Sequence, residues 1–262
     1  MLDIELIRDK VLNKTFITDI YYFKELDSTN EFAKKLDDKD NVLILTDNQT
    51  AGKGRLGKEW VSEKEKNLTF TIKKKFKIDP EESNYINFFF SYFLLESIKE
   101  FLNKNLPNLN SDNLQIKWPN DILMNSKKLC GLLIESVVNK DEYIIGIGLN
   151  VNQEKFNSAF DACSLIEYTK SEINLSELLI HIIFCFSRNL SLLEQQNFGL
   201  VFNSWKESTK MIGKSVEFID PKNVKKTAKI KDFLENGGIK LLISDEEKVY
   251  FSGEVKITGF GR

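Results

Sequence analysis

The run Tyr85–Leu102, YINFFFSYFLLESIKEFL, constrains the fold more than any other stretch of this 262-residue chain. It is long, aromatic and continuous, and it predicts a helix that is apolar around its circumference. Such a helix belongs inside a larger core. Its most apolar part, Phe88–Leu95, is interrupted by Ser91 and is too short for a bilayer, which needs about 20 apolar residues; no membrane span is expected. Elements that could surround the helix lie on both sides. Leu2–Leu12 predicts a short amphipathic helix, and Ile20–Glu25, Val42–Thr46 and Leu68–Ile72 predict strands. Asp27-Ser28-Thr29-Asn30-Glu31 opens a helix through Leu36, with Ser28 and Glu31 at the spacing of a capping box. Further strands are expected over Leu114–Trp118, Asp121–Met124, Lys128–Val138 and Tyr143–Val151, and helices over Leu175–Leu193 and Leu200–Thr209.

The texture changes after Gly213. Ser215–Ile219, Thr227–Phe233, Gly238–Ser244, Lys248–Phe251 and Glu254–Thr258 read as short strands separated by Gly, Asn and Asp. They predict a small β-barrel over residues 213–262, behind a first domain of residues 1–212, and the length suits one large domain with a smaller one attached. The formal net charge of -2 carries no basic excess of the kind that marks nucleic-acid binders. Lys73-Lys74-Lys75 and Lys225-Lys226 stand beside acidic stretches and are expected on the solvated surface. Cys130, Cys163 and Cys185 follow no metal-finger or C-x-x-C spacing, which predicts reduced thiols in a cytoplasmic protein. The start, Met1-Leu2-Asp3-Ile4-Glu5, is acidic and unlike a signal peptide.

Gly52-Lys53-Gly54-Arg55-Leu56-Gly57 matches G-x-G-x-x-G. In a dinucleotide fold a helix follows this loop and an acid stands about 20 residues on. Here Lys58-Glu59-Trp60-Val61-Ser62 starts no convincing helix, and the downstream Ile72-Lys73-Lys74-Lys75 is basic. A protein kinase would need H-R-D and D-F-G, which are missing. The single histidine, His181, sits in an apolar helical stretch and reads as structural, so triad hydrolysis is disfavoured. What remains is a loop whose glycines let amides approach an oxyanion and whose Lys53, Arg55 and Lys58 add charge, or else a plain solvated hairpin loop. In Lys117-Trp118-Pro119-Asn120-Asp121, Pro119 keeps Trp118 extended and ends the strand, so Lys117 is delivered from a strand end; a gatekeeping edge lysine has the same appearance. Lys128–Glu135 (KLCGLLIE) and Gly146–Asn152 (GIGLNVN) carry strand glycines of the kind that mark close approach.

Taken in order, Ser28-Thr29-Asn30, Gln49–Trp60 (QTAGKGRLGKEW), Lys117–Asp121 (KWPND), KLCGLLIE and GIGLNVN resemble the biotin protein ligases, from about residue 20 to the C-terminus. The resemblance implies an α/β (α+β) catalytic domain on a mixed sheet, followed by the small barrel. It implies that biotin and ATP form biotinyl-5'-AMP and pyrophosphate, normally with magnesium, and that a lysine of a biotin carboxyl carrier protein then takes the biotin. No protein nucleophile is needed, only alignment and cationic stabilisation of phosphate charge. By position, Ser28, Thr29 and Asn30 would contact the biotin rings and Gln49 would lie near the ureido ring. Lys53, Gly54 and Arg55 would close over the acyl-phosphate, Lys117 would bridge carboxylate and α-phosphate, and Gly131 and Leu133 would line the biotin pocket. Arg55 and Lys117 are the catalytic candidates. Trp60, Asn120, Lys128 and Asn150 are assigned to the nucleotide, and no metal ligand can be named.

Lys53 stands where the family more often has arginine, Cys130 where alanine is common (a mild enlargement of the pocket wall), and Leu56 where a basic residue sometimes occurs. Some relatives carry an N-terminal winged helix-turn-helix and repress genes. Only 27 residues precede Ser28, so a monofunctional ligase without DNA binding is expected. The oligomeric state, monomer or homodimer, stays open. The competing readings are a lipoate ligase of the same fold and a non-catalytic biotin-binding module.

Overall fold

The computed structural model describes residues 1–107, 109, 111–137, 141–157 and 161–260. Val138, expected to end a strand, and the last two residues of the predicted barrel lie outside these. In chain order the elements are α1 (Ile4–Val11), β1 (Asp19–Phe23), α2 (Thr29–Lys34), β2 (Val42–Thr46), β3 (Leu68–Lys75), α3 (Asn84–Asn105), β4 (Leu114–Lys117), β5 (Asp121–Met124), β6 (Lys127–Val137), β7 (Glu142–Leu149), α4 (Ile166–Thr169), α5 (Leu175–Asn189), α6 (Ser191–Glu194), α7 (Phe198–Thr209), β8 (Ser215–Ile219), β9 (Lys225–Phe233), β10 (Ile239–Ile243), β11 (Glu246–Tyr250) and β12 (Lys256–Phe260).

The first seven strands form one sheet in the order β1-β2-β3-β7-β6-β5-β4. β1 and β2 are parallel, joined through α2, and every other neighbour is antiparallel, so the sheet is mixed. The aromatic run is the buried helix α3. Phe88, Phe89, Phe90, Leu94, Leu95 and Ile98 are sealed in the core between the sheet and helices α5 and α7. Phe88 packs on Trp205 with ring centroids 4.5 Å apart, and Phe90 on Phe186 at 5.0 Å. The segment Leu175–Glu194 is long and apolar enough to cross a membrane by composition, but half of it is buried within the fold. His181 lies in α5 with its ring 5.8 Å from that of Phe101.

The C-terminal strands correct the predicted barrel. They form a five-stranded antiparallel sheet, β11-β10-β9-β8-β12, and β11 and β12 do not pair with each other among the described residues. This sheet packs on α7 through Phe233 and Trp205 (5.4 Å), and Trp118 Nε1, just past β4, donates to Gly237 O at 3.0 Å.

Lys73 and Lys74 also differ from expectation. Both are buried, whereas Lys75 is exposed. Lys73 pairs with Glu142 at 3.0 Å. Lys74 donates to Asn41 Oδ1 at 3.0 Å and sits 5.6 and 5.3 Å from the rings of Phe16 and Phe76. β3 is an interior strand covered on both faces, so lysines there must bring their partners inside. Lys225 and Lys226 are exposed as predicted.

Candidate functional site

The site lies on one face of the first sheet and has two halves. The first is built around the start of α2. Ser28 is the N-cap, its Oγ accepting from the Glu31 amide at 3.4 Å, while the Glu31 carboxylate turns to Lys34 (2.7 Å) and Lys53 (3.1 Å). Those two ammonium groups, Lys34 first, hold the Glu31 carboxyl below the usual range. Ser28, Thr29 and Asn30 are buried. Gln49 Oε1 accepts from the Thr29 amide at 2.8 Å and from its hydroxyl at 3.0 Å. Thr71, from β3, places its hydroxyl 2.6 Å from Asn30 Oδ1 and 2.8 Å from Thr29 Oγ1. Asn30 Nδ2 donates to Leu133 O at 3.2 Å and to Glu135 Oε2 at 2.9 Å. Asn30 can lie this close to the sheet because residue 146 is glycine: a β-carbon there would stand 2.3 Å from Asn30 Oδ1.

The second half lies two residues away along β6 and β7, which puts it on the same sheet face. The glycine loop folds back on itself, Gly54 N donating to Lys58 O (2.7 Å) and Trp60 N to Gly52 O (2.9 Å). Its tip, Leu56 and Gly57, adopts left-handed backbone with φ of 55° and 71°, and Leu56 is 75% exposed. The Trp60 indole rests on Gly148 and approaches Gly131, and Lys128 Nζ lies 5.7 Å from its ring. Lys128 pairs with Asp121 at 2.7 Å. Arg55 donates to Asn120 Oδ1 at 3.1 Å, and Asn120 Nδ2 donates to Leu132 O. Lys117 ends β4 directly opposite Asp121, before the cis Trp118–Pro119 bond.

These cations crowd one another. Burial lowers the pKa of Lys117; Asp121 opposes the shift and Lys128, Lys256 and Lys58 add to it. Lys58 is lowered by burial and then by Lys256 and Lys128, and Arg55 by burial against the pull of Asp121. Desolvated cations around a carboxylate that already has a partner form a receptor for further negative charge.

The sequence-predicted residues thus fall into two adjoining groups: Ser28, Thr29, Asn30, Gln49 and Leu133, then Gly54, Arg55, Trp60, Lys117, Asn120, Lys128 and Gly131. Lys53 leans to the first through Glu31. Trp60, assigned to the nucleotide, lies against Gly131, assigned to the biotin pocket. Asn150 follows β7; its Nδ2 donates to Cys163 O at 3.0 Å, and its buried Oδ1 has no hydrogen-bond partner among the described residues. Cys130 is fully buried in the main core, and strand alternation turns it away from Gly131 and off the pocket wall. The sequence reading missed Thr71 and Lys256, which enter only through β3 and β12. Among the described residues no three His, Cys, Asp or Glu side chains gather as a metal site, so the magnesium implied by the resemblance has no all-protein cage here.

A mixed α/β sheet with a polar cluster at the start of a short helix beside a cationic glycine loop, followed by a small antiparallel sheet, defines the protein-ligase class of fold. The chain belongs to the Biotin/lipoate A/B protein ligase family, whose model matches residues 22–152. It is 29% identical over 179 residues to the bifunctional ligase/repressor BirA of Bacillus subtilis, covering 64% of this chain and 53% of that protein. It is 28% identical over 131 residues to the biotin–[acetyl-CoA-carboxylase] ligase of Mycobacterium tuberculosis, covering 50% and 47%. The chain therefore spans about half the length of these relatives. Its fold is similar to that of the biotin protein ligase from Aquifex aeolicus in complex with biotin and ATP, with a TM-score of 0.76 and 27% identity over 93% of this chain and 100% of that one.

Proposed function

We propose that this chain is an ATP-dependent biotin protein ligase. A biotin carboxylate oxygen attacks the α-phosphorus of ATP, the bond to the departing pyrophosphate breaks, and biotinyl-5'-AMP forms. The amine of a carrier lysine then attacks the acyl carbon and AMP leaves. Lys117 and Arg55 stabilise the charge that develops on the phosphate, and the Thr29–Asn30–Gln49 group holds the ring system. Asn150 and Lys128 serve the nucleotide. No step is assigned to a protein-held metal. The acceptor is a biotin carboxyl carrier protein of acetyl-CoA carboxylase or a related carboxylase, in keeping with the name of the mycobacterial relative.

The observation that carries this reading is the juxtaposition on β6 and β7. The polar cluster at Leu133 and Gly146 adjoins the cationic cluster at Gly131 and Gly148, the layout needed by an acid with a polar body that is to be joined to a phosphate. Three buried, unpaired cysteines suit a reducing cytoplasm. The net charge of -2 favours a ligase without a DNA-binding role, which an operator-binding assay checks. The decisive experiment is ATP–pyrophosphate exchange. Biotin should drive it and lipoate should not. Exchange driven by lipoate means a lipoate ligase, and biotin binding without pyrophosphate release means a binding module.

A further inference from the structure

Helix α2 is too short to place itself: it has six residues, and isolated helices below about 12–15 residues are marginal in water. Its apolar side is held by Ala33 against Val42, Ile44 and Ile144, and by Phe32 against Tyr21 and Phe23 at 5.6 and 4.7 Å. Hydrophobic contact of this kind is non-directional and fixes neither the height nor the roll of the helix. Gln49 and β6 supply directional contacts, and β3 supplies them at both ends. Thr71 engages Thr29 and Asn30 near the N-terminus. Two residues along the same strand face, Lys73 takes the C-terminal end: its Nζ donates to Ala33 O at 3.3 Å and to Leu36 O, and pairs with Glu142 Oε1 at 3.0 Å. Two hydrogen bonds and an ion pair thus hold the ammonium, on a lysine that is 1% exposed. An alkyl side chain would fill this space without the desolvation cost but would remove the buried restraint, leaving the end of α2 to the solvent-exposed Lys34–Glu135 pair at 2.8 Å.

We infer that Lys73 is a positioning residue for the acid-binding half of the site. It ties the end of α2 to β3 and, through Glu142, to β7, and so sets where Thr29 and Asn30 meet Gln49, Leu133 and Glu135. The inference rests on the reading that the start of α2 receives biotin. Lys73 itself touches no reacting atom.

The test uses the full chain and three variants: Lys73→Met, Lys73→Met with Glu142→Leu, and Lys73→Arg. Each is followed by thermal melting and by KM for biotin, KM for ATP and kcat in pyrophosphate exchange. Lys73→Met strands a buried carboxylate and should melt early. The double variant removes both charges, which buried pairs often tolerate, and should melt near wild type. Its KM for biotin should rise about 10- to 100-fold, since small misplacements at a site have effects of that order, with KM for ATP within about twofold. A folded double variant with unchanged KM for biotin overturns the inference. If the double variant does not fold, Lys73→Arg, which keeps the charge but re-aims the donors, decides in the same way. Failure of the underlying reading looks different: the wild-type chain itself shows no biotin-driven exchange.

Discussion

The Trp60 indole takes the space that a side chain at residue 148 would occupy: a β-carbon on Gly148 would stand 2.3 Å from Trp60 Cε2. The glycine loop is thereby seated on β7 at the boundary between the polar and cationic clusters. Gly148→Ala must displace either the indole or the strand. Overpacking of this kind costs about 1–3 kcal/mol, and here the cost falls on loop placement. The variant should bind biotin more weakly and show red-shifted Trp60 emission, because Trp118 and Trp205 stay buried. Unchanged affinity and emission would show that the loop seat does not serve binding.

Lys117→Ala removes a desolvated cation from beside Asp121. A hydrogen bond to a charged group is worth about 1.5–3 kcal/mol, so adenylation should slow roughly 10- to 150-fold, measured as the initial rate of pyrophosphate release. An unchanged rate removes Lys117 from the mechanism.

The same lysine gives a pH signature. Burial lowers its pKa in the folded chain below that of an unfolded lysine. As pH rises through the lowered value, the folded form loses its proton while the unfolded form keeps it. The unfolded state then binds more protons, so the contribution of Lys117 to stability rises with pH in this window. Activity that needs the ammonium falls over the same window. Comparing wild type with Lys117→Met isolates both slopes, and parallel slopes in activity and stability would contradict the assignment.

Much of this arrangement was legible along the chain. The periodicities placed nearly every strand and helix of the first sheet, because each buries a face of regular period. The motif strings located the loop, Lys117 and the start of α2. What escaped was whatever depends on sheet order. Lys73 and Lys74 read as solvated because a charge run looks the same on an edge strand as on an interior one, and only the β2-β3-β7 neighbourhood buries them. Lys256 stands far from the loop in sequence and reaches the cations through the packing of the second sheet. Nor does alternation distinguish a closed barrel from an open sheet, since closure depends on pairing between the two end strands.

Arg55 ties the loop to the strand-end turn through Asn120 at 3.1 Å. Arg55→Gly should slow the first half-reaction without abolishing it and loosen the lid over its product. The expected result is biotinyl-adenylate free in solution and untargeted acylation of amines on a bystander protein. Slow release of a trapped adenylate from this variant would contradict that role.

Asn150 offers the most specific nucleotide test. Its Nδ2 is committed to Cys163 O, which leaves a buried Oδ1 acceptor in need of a donor. The exocyclic amine of adenine is such a donor; hypoxanthine lacks one. The wild-type chain should therefore prefer ATP to ITP. A neutral hydrogen bond contributes about 0.5–1.5 kcal/mol, so Asn150→Leu should raise KM for ATP roughly 2- to 12-fold and leave KM for ITP and the affinity for biotin nearly unchanged. The lost Cys163 contact should appear separately as a lower melting temperature. If the ratio of ATP to ITP stays at the wild-type value in this variant, the orphan oxygen does not read the base, and Asn150 only braces the segment that follows β7.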